Sequence, residues 1–84
     1  MLALSVVIPA YNSSTTIRST LDSVLPQLEA QDQVVVVNDG STDTTQVILD
    51  EYRDEHQVQC LAQDNAGVSA ARNIGVQQAA GDYI

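Results

Sequence analysis

Four consecutive valines at positions 34–37 constrain the fold more than any other feature of the chain. β-Branched side chains favour strands, and a strand that is apolar on both faces is typical of the centre of a parallel sheet covered by helices on both sides. Asn38, Asp39 and Gly40 follow, and these residue types favour turns. We therefore predict a strand over residues 33–37 that ends there. Asp39 would lie at the carboxyl end of a buried strand, where open α/β sheets bind their ligands.

The remaining segments alternate between strand and helix patterns. Further strands are predicted over residues 4–8 and 58–62, and residues 82–84 resemble the opening of a fourth. Helices are predicted after Ser13 or Ser14, over residues 44–54 and over residues 68–80. Such alternation predicts right-handed βαβ units and a three-layer α/β/α fold with a mostly parallel sheet. A return past the first strand gives the strand order 3-2-1-4, with the crevice between strands one and four.

Helix faces can be assigned from apolar spacing. The first helix carries one apolar stripe, formed by Ile17, Leu21, Val24, Leu25 and Leu28. Pro26 should interrupt this stripe by ending or kinking the helix. The second helix is expected to turn Val47, Ile48 and Tyr52 inward. Ser41, Thr42 or Asp43 could cap it, because each side chain can accept from free backbone N–H groups.

Charge excludes several classes of function. The 84 residues hold eleven acids against three arginines, with a net charge of −8 and no lysine. This balance argues against binding to nucleic acid or to an anionic membrane surface. Without lysine, neither a phosphate-loop lysine nor Schiff-base chemistry is possible. No apolar run is long enough for a membrane segment in this chain. Cys60 is the only cysteine, so an internal disulfide is impossible and a cytoplasmic location is favoured.

The predicted crevice collects Tyr11, Asn12 and Asp39 in one place, with Arg72 as a further candidate. A tyrosine ring can stack on a planar base, and a carboxylate can accept from an imide N–H or from ribose hydroxyls. An arginine near the start of the third helix could neutralise a phosphate, helped by backbone N–H groups of that helix end. An ordinary turn followed by a helix cap also explains residues 39–41, and spacing alone favours that interpretation. We expect Asp39 to pack against little.

Three blocks of the sequence resemble a known family. SVVIPAYNSSTTI, VVVVNDGSTD and NAGVSAARNIGVQQAAGDYI are similar, at the right spacing, to the opening blocks of the family 2 glycosyltransferases, which have the Rossmann-like GT-A fold. The resemblance covers essentially the whole chain. It implies that residues 1–84 are the N-terminal, incomplete portion of a GT-A domain that binds a nucleotide-diphosphate sugar, most often a UDP-sugar.

The resemblance also implies roles for individual residues. By position, Tyr11 corresponds to the residue that packs beside the base, and Asp39 to the acid that bonds it. Arg72 corresponds to a motif arginine near the nucleotide, with a helix-packing ion pair as its alternative. Pro9 and Asn12 would shape the first loop.

Catalysis is not expected from this chain alone. The resemblance places the family's motif for a divalent cation, Mn or Mg, a few residues beyond Ile84, and its catalytic base much further on. We therefore assign no catalytic residue and no metal ligand here. In the intact enzyme, which could lie at the cytoplasmic side of a membrane, the sugar would pass to an acceptor hydroxyl.

A non-enzymatic α/β module, such as a phospho-acceptor receiver domain, is the alternative function, since an Asp at the carboxyl end of a strand suits it as well. Receivers also use a lysine and clustered acids after the first strand. Residues 9–12 read Pro-Ala-Tyr-Asn instead.

We predict that the chain forms a homo-oligomer through the face that contains residues 81–84. A strand that stops at Ile84 would present unpaired backbone groups beside the first strand, together with apolar surface, and both promote association. Sedimentation or light scattering at micromolar concentration checks this. A monomer at that concentration would contradict the prediction.

Overall fold

The structure is a computed structural model that describes residues 3–78. The predicted fourth strand at 82–84 and the association segment at 81–84 lie outside the described residues. So do the last two residues of the predicted third helix.

The described chain alternates strands and helices in the predicted order. The strands are β1 (Ser5–Ala10), β2 (Gln33–Asp39) and β3 (Val58–Gln63), and the helices are α1 (Ile17–Val24), α2 (Thr45–Asp50) and α3 (Val68–Gln78). A short 3-10 turn, Leu25–Gln27, follows α1. The three strands are parallel, with β2 in the middle. This confirms the α/β class and the 3-2-1 part of the strand order.

The valine run of β2 divides the core into two layers, as its pattern predicts. All four valines are fully buried. Val34 and Val36 pack on one face with the helices α1 and α2, and that cluster also contains Ala10, Ile17, Leu21 and Leu49. Val35 and Val37 pack on the other face with Ala71 of α3. Because successive side chains of a strand point to opposite faces, one run supplies both layers.

Two strands extend further than the sequence predicted. β2 continues through Asn38 and Asp39, because both residues still pair with β3, Asp39 opposite Gln63. β1 continues through Pro9 to Ala10. The N–H of Gln33 donates to the carbonyl of Leu4, so the backbone N–H and C=O groups of every second β1 residue, counted from position 4, point toward β2. Pro9 belongs to the other residues, whose backbone groups point away from β2, so its missing N–H costs no bond to β2.

The start of α1 differs from the prediction. Neither Ser13 nor Ser14 caps the helix with its side chain, and α1 begins only at Ile17. Instead, the carbonyl of Ser13 accepts from the N–H groups of Thr16 at 3.0 Å and Ile17 at 2.8 Å. The end of the helix agrees with the prediction, because α1 stops at Val24 and Pro26 lies in the 3-10 turn.

The orientation of α2 corrects one predicted core residue. Val47 is 62% exposed, and Leu49, which is 1% exposed, fills the core instead. Ile48 and Tyr52 do pack against the core, as predicted. The buried positions Thr45 and Leu49 are four residues apart, so they define the inner face of the helix. α2 is also shorter than the predicted 44–54.

Substituting Gly75 by alanine should destabilise the fold, because α3 crosses the sheet too closely for a side chain. An added Cβ would overlap Cγ1 of Val7 and lie 3.3 Å from Cγ2 of Val37. We expect a loss of about 1–3 kcal/mol in the free energy of unfolding from overpacking. Alanine should recover up to about 1 kcal/mol through its higher helix propensity.

Urea unfolding of the Gly75→Ala variant checks this, with Gln77→Ala on the same helix as the control. Gln77 is exposed, so that variant should stay within about 0.5 kcal/mol of the wild type. A Gly75→Ala variant as stable as the control would contradict the close approach of α3.

Candidate functional site

A cleft opens at the carboxyl ends of β1 and β2, where the fold class predicts a ligand site. Its volume is about 190 Å³. Most of its wall is apolar, and it is lined by Pro9, Ala10, Tyr11, Asp39, Asn65, Gly67 and Val68. The structure therefore brings together three of the five predicted nucleotide-binding residues, Pro9, Tyr11 and Asp39. It does not place Asn12 or Arg72 in the lining.

Asp39 is the charged group of this cleft, and its carboxylate is already extensively bonded. Its Oδ1 accepts from Nε2 of Gln63 at 2.7 Å and from the N–H of Ala66 at 2.9 Å. Its Oδ2 accepts from the N–H of Gly67 at 3.0 Å. A carboxylate offers about four acceptor positions. Three of these positions are filled by described residues, which leaves one on Oδ2.

These bonds correct the expectation that Asp39 packs against little. The residue is only 3% exposed, and its carboxylate fixes the loop that leads from β3 into α3. The backbone N–H groups of Ala66 and Gly67, just before α3, are consequently occupied by a carboxylate within the protein. Hydrogen bonds from the Gln63 amide and the Ala66 N–H lower the pKa of Asp39. Asp39 is thus ionised at neutral pH and can only accept.

Tyr11 forms an exposed wall of the cleft, with half of its side chain accessible. The adjacent Asn12 turns away and adopts a left-handed backbone with φ of 47°, which asparagine tolerates better than most residues. Its Oδ1 accepts from the N–H of Thr42 at 2.8 Å, and its own N–H donates to Oγ of Ser41 at 2.9 Å. Asn12 therefore joins the loop after β1 to the loop after β2.

A second set of bonds joins the same two loops around Asp43. Its Oδ1 accepts from the hydroxyl of Thr45 at 2.5 Å and from the Thr45 N–H at 2.9 Å. Its Oδ2 accepts from the N–H of Ser14 at 3.3 Å, while Oγ1 of Thr45 accepts from the N–H of Ser13 at 2.8 Å. The Thr45 hydroxyl is the main reason that the pKa of Asp43 falls to about 2. We call these four residues, Ser13, Ser14, Asp43 and Thr45, the loop clamp.

The contact between two loops beside the cleft depends on a glycine at position 40. Gly40 has φ of 71°, in the left-handed region, and a Cβ there would lie 2.6 Å from the backbone N of Asn65. The Asn65 side chain also donates from Nδ2 to the carbonyl of Asp39 at 3.2 Å. The loops after β2 and β3 therefore touch through their backbones, and no side chain fits between them.

Arg72 lies apart from the cleft lining. It is an exposed residue of α3, next to Ala71, which is buried against the sheet. The ion pairs between described residues are Arg18 with Glu51 at 2.7 Å and Arg53 with Asp50 at 3.8 Å. Arg72 therefore makes no helix-packing ion pair with any residue from 3 to 78.

Sequence reasoning did not assign Gln63 or Val68 to the site. Val68 opens α3, so the cleft includes the side chain of the first residue of this helix, whereas the prediction for the same helix end concerned Arg72 and backbone N–H groups. Gln63 could have been found from the alignment of parallel strands. It stands opposite Asp39, and polar residues at the ends of neighbouring parallel strands meet at one sheet edge.

Metal and membrane features can be assessed for the described part only. Within residues 3–78, no three or more His, Cys, Asp or Glu side chains cluster in a way that could hold a metal ion. Over the same residues, no helix combines the length and the apolar character that crossing a membrane requires.

Comparison with known proteins identifies relatives over nearly the whole chain. Residues 5–84 match the family model described as glycosyl transferase family 2. Glycosyltransferase GlyA of Streptococcus pneumoniae is 40% identical over 82 residues, which are 96% of this chain and 12% of that protein. YibD of Escherichia coli, an uncharacterized glycosyltransferase, is 39% identical over 82 residues, or 24% of its length. The chain thus spans a quarter or less of these relatives.

Solved structures show the same arrangement of strands and helices. TarS of S. aureus, residues 1–349 in complex with UDP-GlcNAc, superposes with a TM-score of 0.86 at 35% identity. The match covers 98% of this chain and 24% of that chain. The UDP complex of the same TarS segment gives a TM-score of 0.82 at 32% identity. These similarities confirm the predicted Rossmann-like fold of the GT-A type, present here in part.

The loop clamp should make stability depend on pH through Asp43. The folded pKa of about 2 lies below the ordinary value of about 3.9. Its stabilising contribution is therefore complete above about pH 4 and is lost as the pH falls through about 2. We expect Asp43→Asn to lower the urea midpoint at pH 7, and we expect the difference from wild type to shrink below pH 3.

Asp54→Asn provides the matched control, because Asp54 is an exposed aspartate outside the loop clamp. It should leave the urea midpoint at pH 7 unchanged. Equal midpoints for the Asp43 and Asp54 variants at pH 7 would show that the loop clamp does not stabilise the fold.

Proposed function

Because the chain belongs to glycosyl transferase family 2, we propose that residues 1–84 are the N-terminal, nucleotide-binding portion of a GT-A glycosyltransferase domain. The bound molecule is a nucleotide-diphosphate sugar of the UDP class, and the intact enzyme transfers its sugar to an acceptor hydroxyl. The observation that carries this proposal is the cleft that Tyr11 lines together with an ionised Asp39, whose carboxylate keeps one acceptor position.

The size of the cleft supports a single ring as the bound group. A cavity of about 150 Å³ accommodates benzene, and this cleft measures about 190 Å³. Pockets that enclose a whole drug-sized ligand begin at about 300 Å³. A pyrimidine ring fits these limits, while the ribose, the phosphates and the sugar would extend outside the cleft.

Hydrogen-bond polarity favours uracil over cytosine. Uracil carries an N–H at ring position 3, which can donate to the remaining acceptor position of Asp39. Cytosine has a bare ring nitrogen at that position, so its lone pair would face the carboxylate. The half-exposed ring of Tyr11 can stack on the base, as aromatic side chains do on any nucleobase.

Structures of relatives support the same class of ligand. TarS is described in complex with UDP and with UDP-GlcNAc, and both complexes superpose on nearly the whole of this chain. By analogy, we propose that this chain binds the uridine diphosphate part of those ligands.

Arg72 suits a role toward the diphosphate. Its exposed guanidinium has no ion-pair partner among residues 3–78, unlike Arg18 and Arg53. A cation at that position can approach phosphate oxygens that extend outside the cleft. The predicted Mn or Mg has no ligand set within the described residues. We therefore propose no metal-dependent step for this chain, and we assign it only the binding of the nucleotide-diphosphate sugar.

The receiver-like alternative finds less support. A receiver needs acids grouped after its first strand, and here the cleft side of that strand carries Tyr11. The adjacent Asn12 is committed to bonds with Ser41 and Thr42.

We also place the protein in the cytoplasm, where its one half-buried thiol, Cys60, stays reduced.

Titration with uridine and cytidine diphosphates tests the proposal. The wild-type chain should bind UDP more tightly than CDP, because the two ligands differ in the ring group that faces Asp39. Tyr11→Ala should weaken UDP binding by about 1–3 kcal/mol, the contribution of one base stacked on an aromatic ring. Calorimetry or NMR chemical-shift titration gives both values.

Tyr11→Phe is the matched control. It keeps the ring and removes only the hydroxyl, so UDP should bind as it does to wild type. Equal affinity for UDP and CDP, or no binding of either, would overturn the proposed function of the cleft.

A further inference from the structure

Gln63, the last residue of β3, presents an unusual arrangement of its amide. Its Nε2 donates to Oδ1 of Asp39 at 2.7 Å, across the pair of strands in which the two residues stand opposite each other. Its Oε1 is buried and accepts no hydrogen bond from any residue of the described chain. One half of the amide is thus used, and the other half is buried without a partner.

A buried acceptor without a partner destabilises a fold, so most buried polar groups are bonded. Gln63 is therefore poorly suited to a purely structural role. Within the described chain, its side chain makes one hydrogen bond, to the carboxylate of Asp39, a residue that lines the cleft. The N–H of Ala66 shares Oδ1 with the Gln63 amide, and the N–H of Gly67 bonds Oδ2. Because Oδ1 already accepts two hydrogen bonds, the remaining acceptor position of Asp39 is on Oδ2.

We propose that Gln63 is a positioning residue that holds the Asp39 carboxylate so that its remaining acceptor position on Oδ2 faces the cleft. This inference rests on the proposed function, because the group that uses this position is the ring N–H of a uridine nucleotide. Without the amide, two backbone N–H groups hold the carboxylate, and its plane is less restricted. Gln63 thereby sets the affinity of the cleft for uridine nucleotides without touching them.

The chain offers a matched glutamine for comparison. Gln57 immediately precedes β3, at the opposite end of the sheet. Its Nε2 donates to the carbonyl of Glu29 at 2.7 Å and to the carbonyl of Asp32 at 3.1 Å. Gln57 therefore ties a loop to the sheet through the same chemistry, away from the cleft.

The first measurement is UDP affinity at pH 7 for the 84-residue chain and its variants Gln63→Met and Gln57→Met. Methionine has nearly the shape of glutamine and cannot donate. Gln63→Met should bind UDP about tenfold more weakly, because a less restricted carboxylate aligns poorly with the ring N–H and weakens that one charged hydrogen bond. Gln57→Met should bind UDP as wild type does, and its urea midpoint should fall. Equal UDP affinity of the wild type and Gln63→Met would overturn the proposal.

The second measurement does not involve nucleotide. The ¹³C chemical shift of the Asp39 carboxyl, followed against pH, reports its pKa directly. The Gln63 amide is the largest contribution that lowers this pKa, so Gln63→Met should raise it and Gln57→Met should not. Gln63→Asn keeps an amide on a side chain that is shorter by one methylene. The amide then lies farther from the carboxylate, so this variant should raise the pKa of Asp39 too. It replaces Gln63→Met in both measurements if that variant does not fold.

The two measurements separate the two proposals. If wild type binds no UDP while Gln63→Met raises the Asp39 pKa, the proposed function fails and the contact between Gln63 and Asp39 stands. An Asp39 pKa that is the same in wild type and in the Gln63 variants overturns the positioning role, whether or not UDP binds.

Discussion

An ionised carboxylate at the end of the central strand organises the functional end of this molecule. Asp39 ends a strand whose preceding residues are fully buried, yet its charge is satisfied by an amide and two backbone N–H groups. A buried charge without such donors would be strongly unfavourable. The loop after β3 therefore takes the path that brings its N–H groups to Asp39, and the start of α3 follows from that path. The carboxylate holds the loop in place, and the proposed function gives it a recognition role as well, so substituting it should affect both.

The layers of the fold were predictable because they depend on local apolar pattern. Four valines specify a strand with two buried faces, and the order of elements specifies parallel pairing. Strand ends were less predictable, because Asn38 and Asp39 favour turns locally but gain strand hydrogen bonds from a distant partner. Val47 illustrates the same limit. Its apolar side chain suggested the core, but the inner face of α2 is the one that includes Thr45 and Leu49.

The site was predictable in type but not in its supporting contacts. Asp39 and Tyr11 could be assigned from position and from the family resemblance. The bonds of Asn12 and Asp43 join segments about thirty residues apart, and no local pattern reveals which side chain meets which backbone group. Most of these bonds run from a side chain to a backbone N–H, so their positions depend on the final path of the chain. The Gln63 amide meets the Asp39 carboxylate from side chain to side chain, and that contact follows from strand register.

Pro9 restricts the hydrogen bonds that the outer edge of β1 can offer. Its ring lies on the edge of β1 that faces away from β2, and it also lines the cleft. Any strand that continued the sheet on that edge would find no hydrogen-bond donor at this residue. Such a neighbour would have to separate from β1 at about this level. A single imino acid thus limits how far hydrogen bonding could continue along this edge of β1, at the level where the cleft opens.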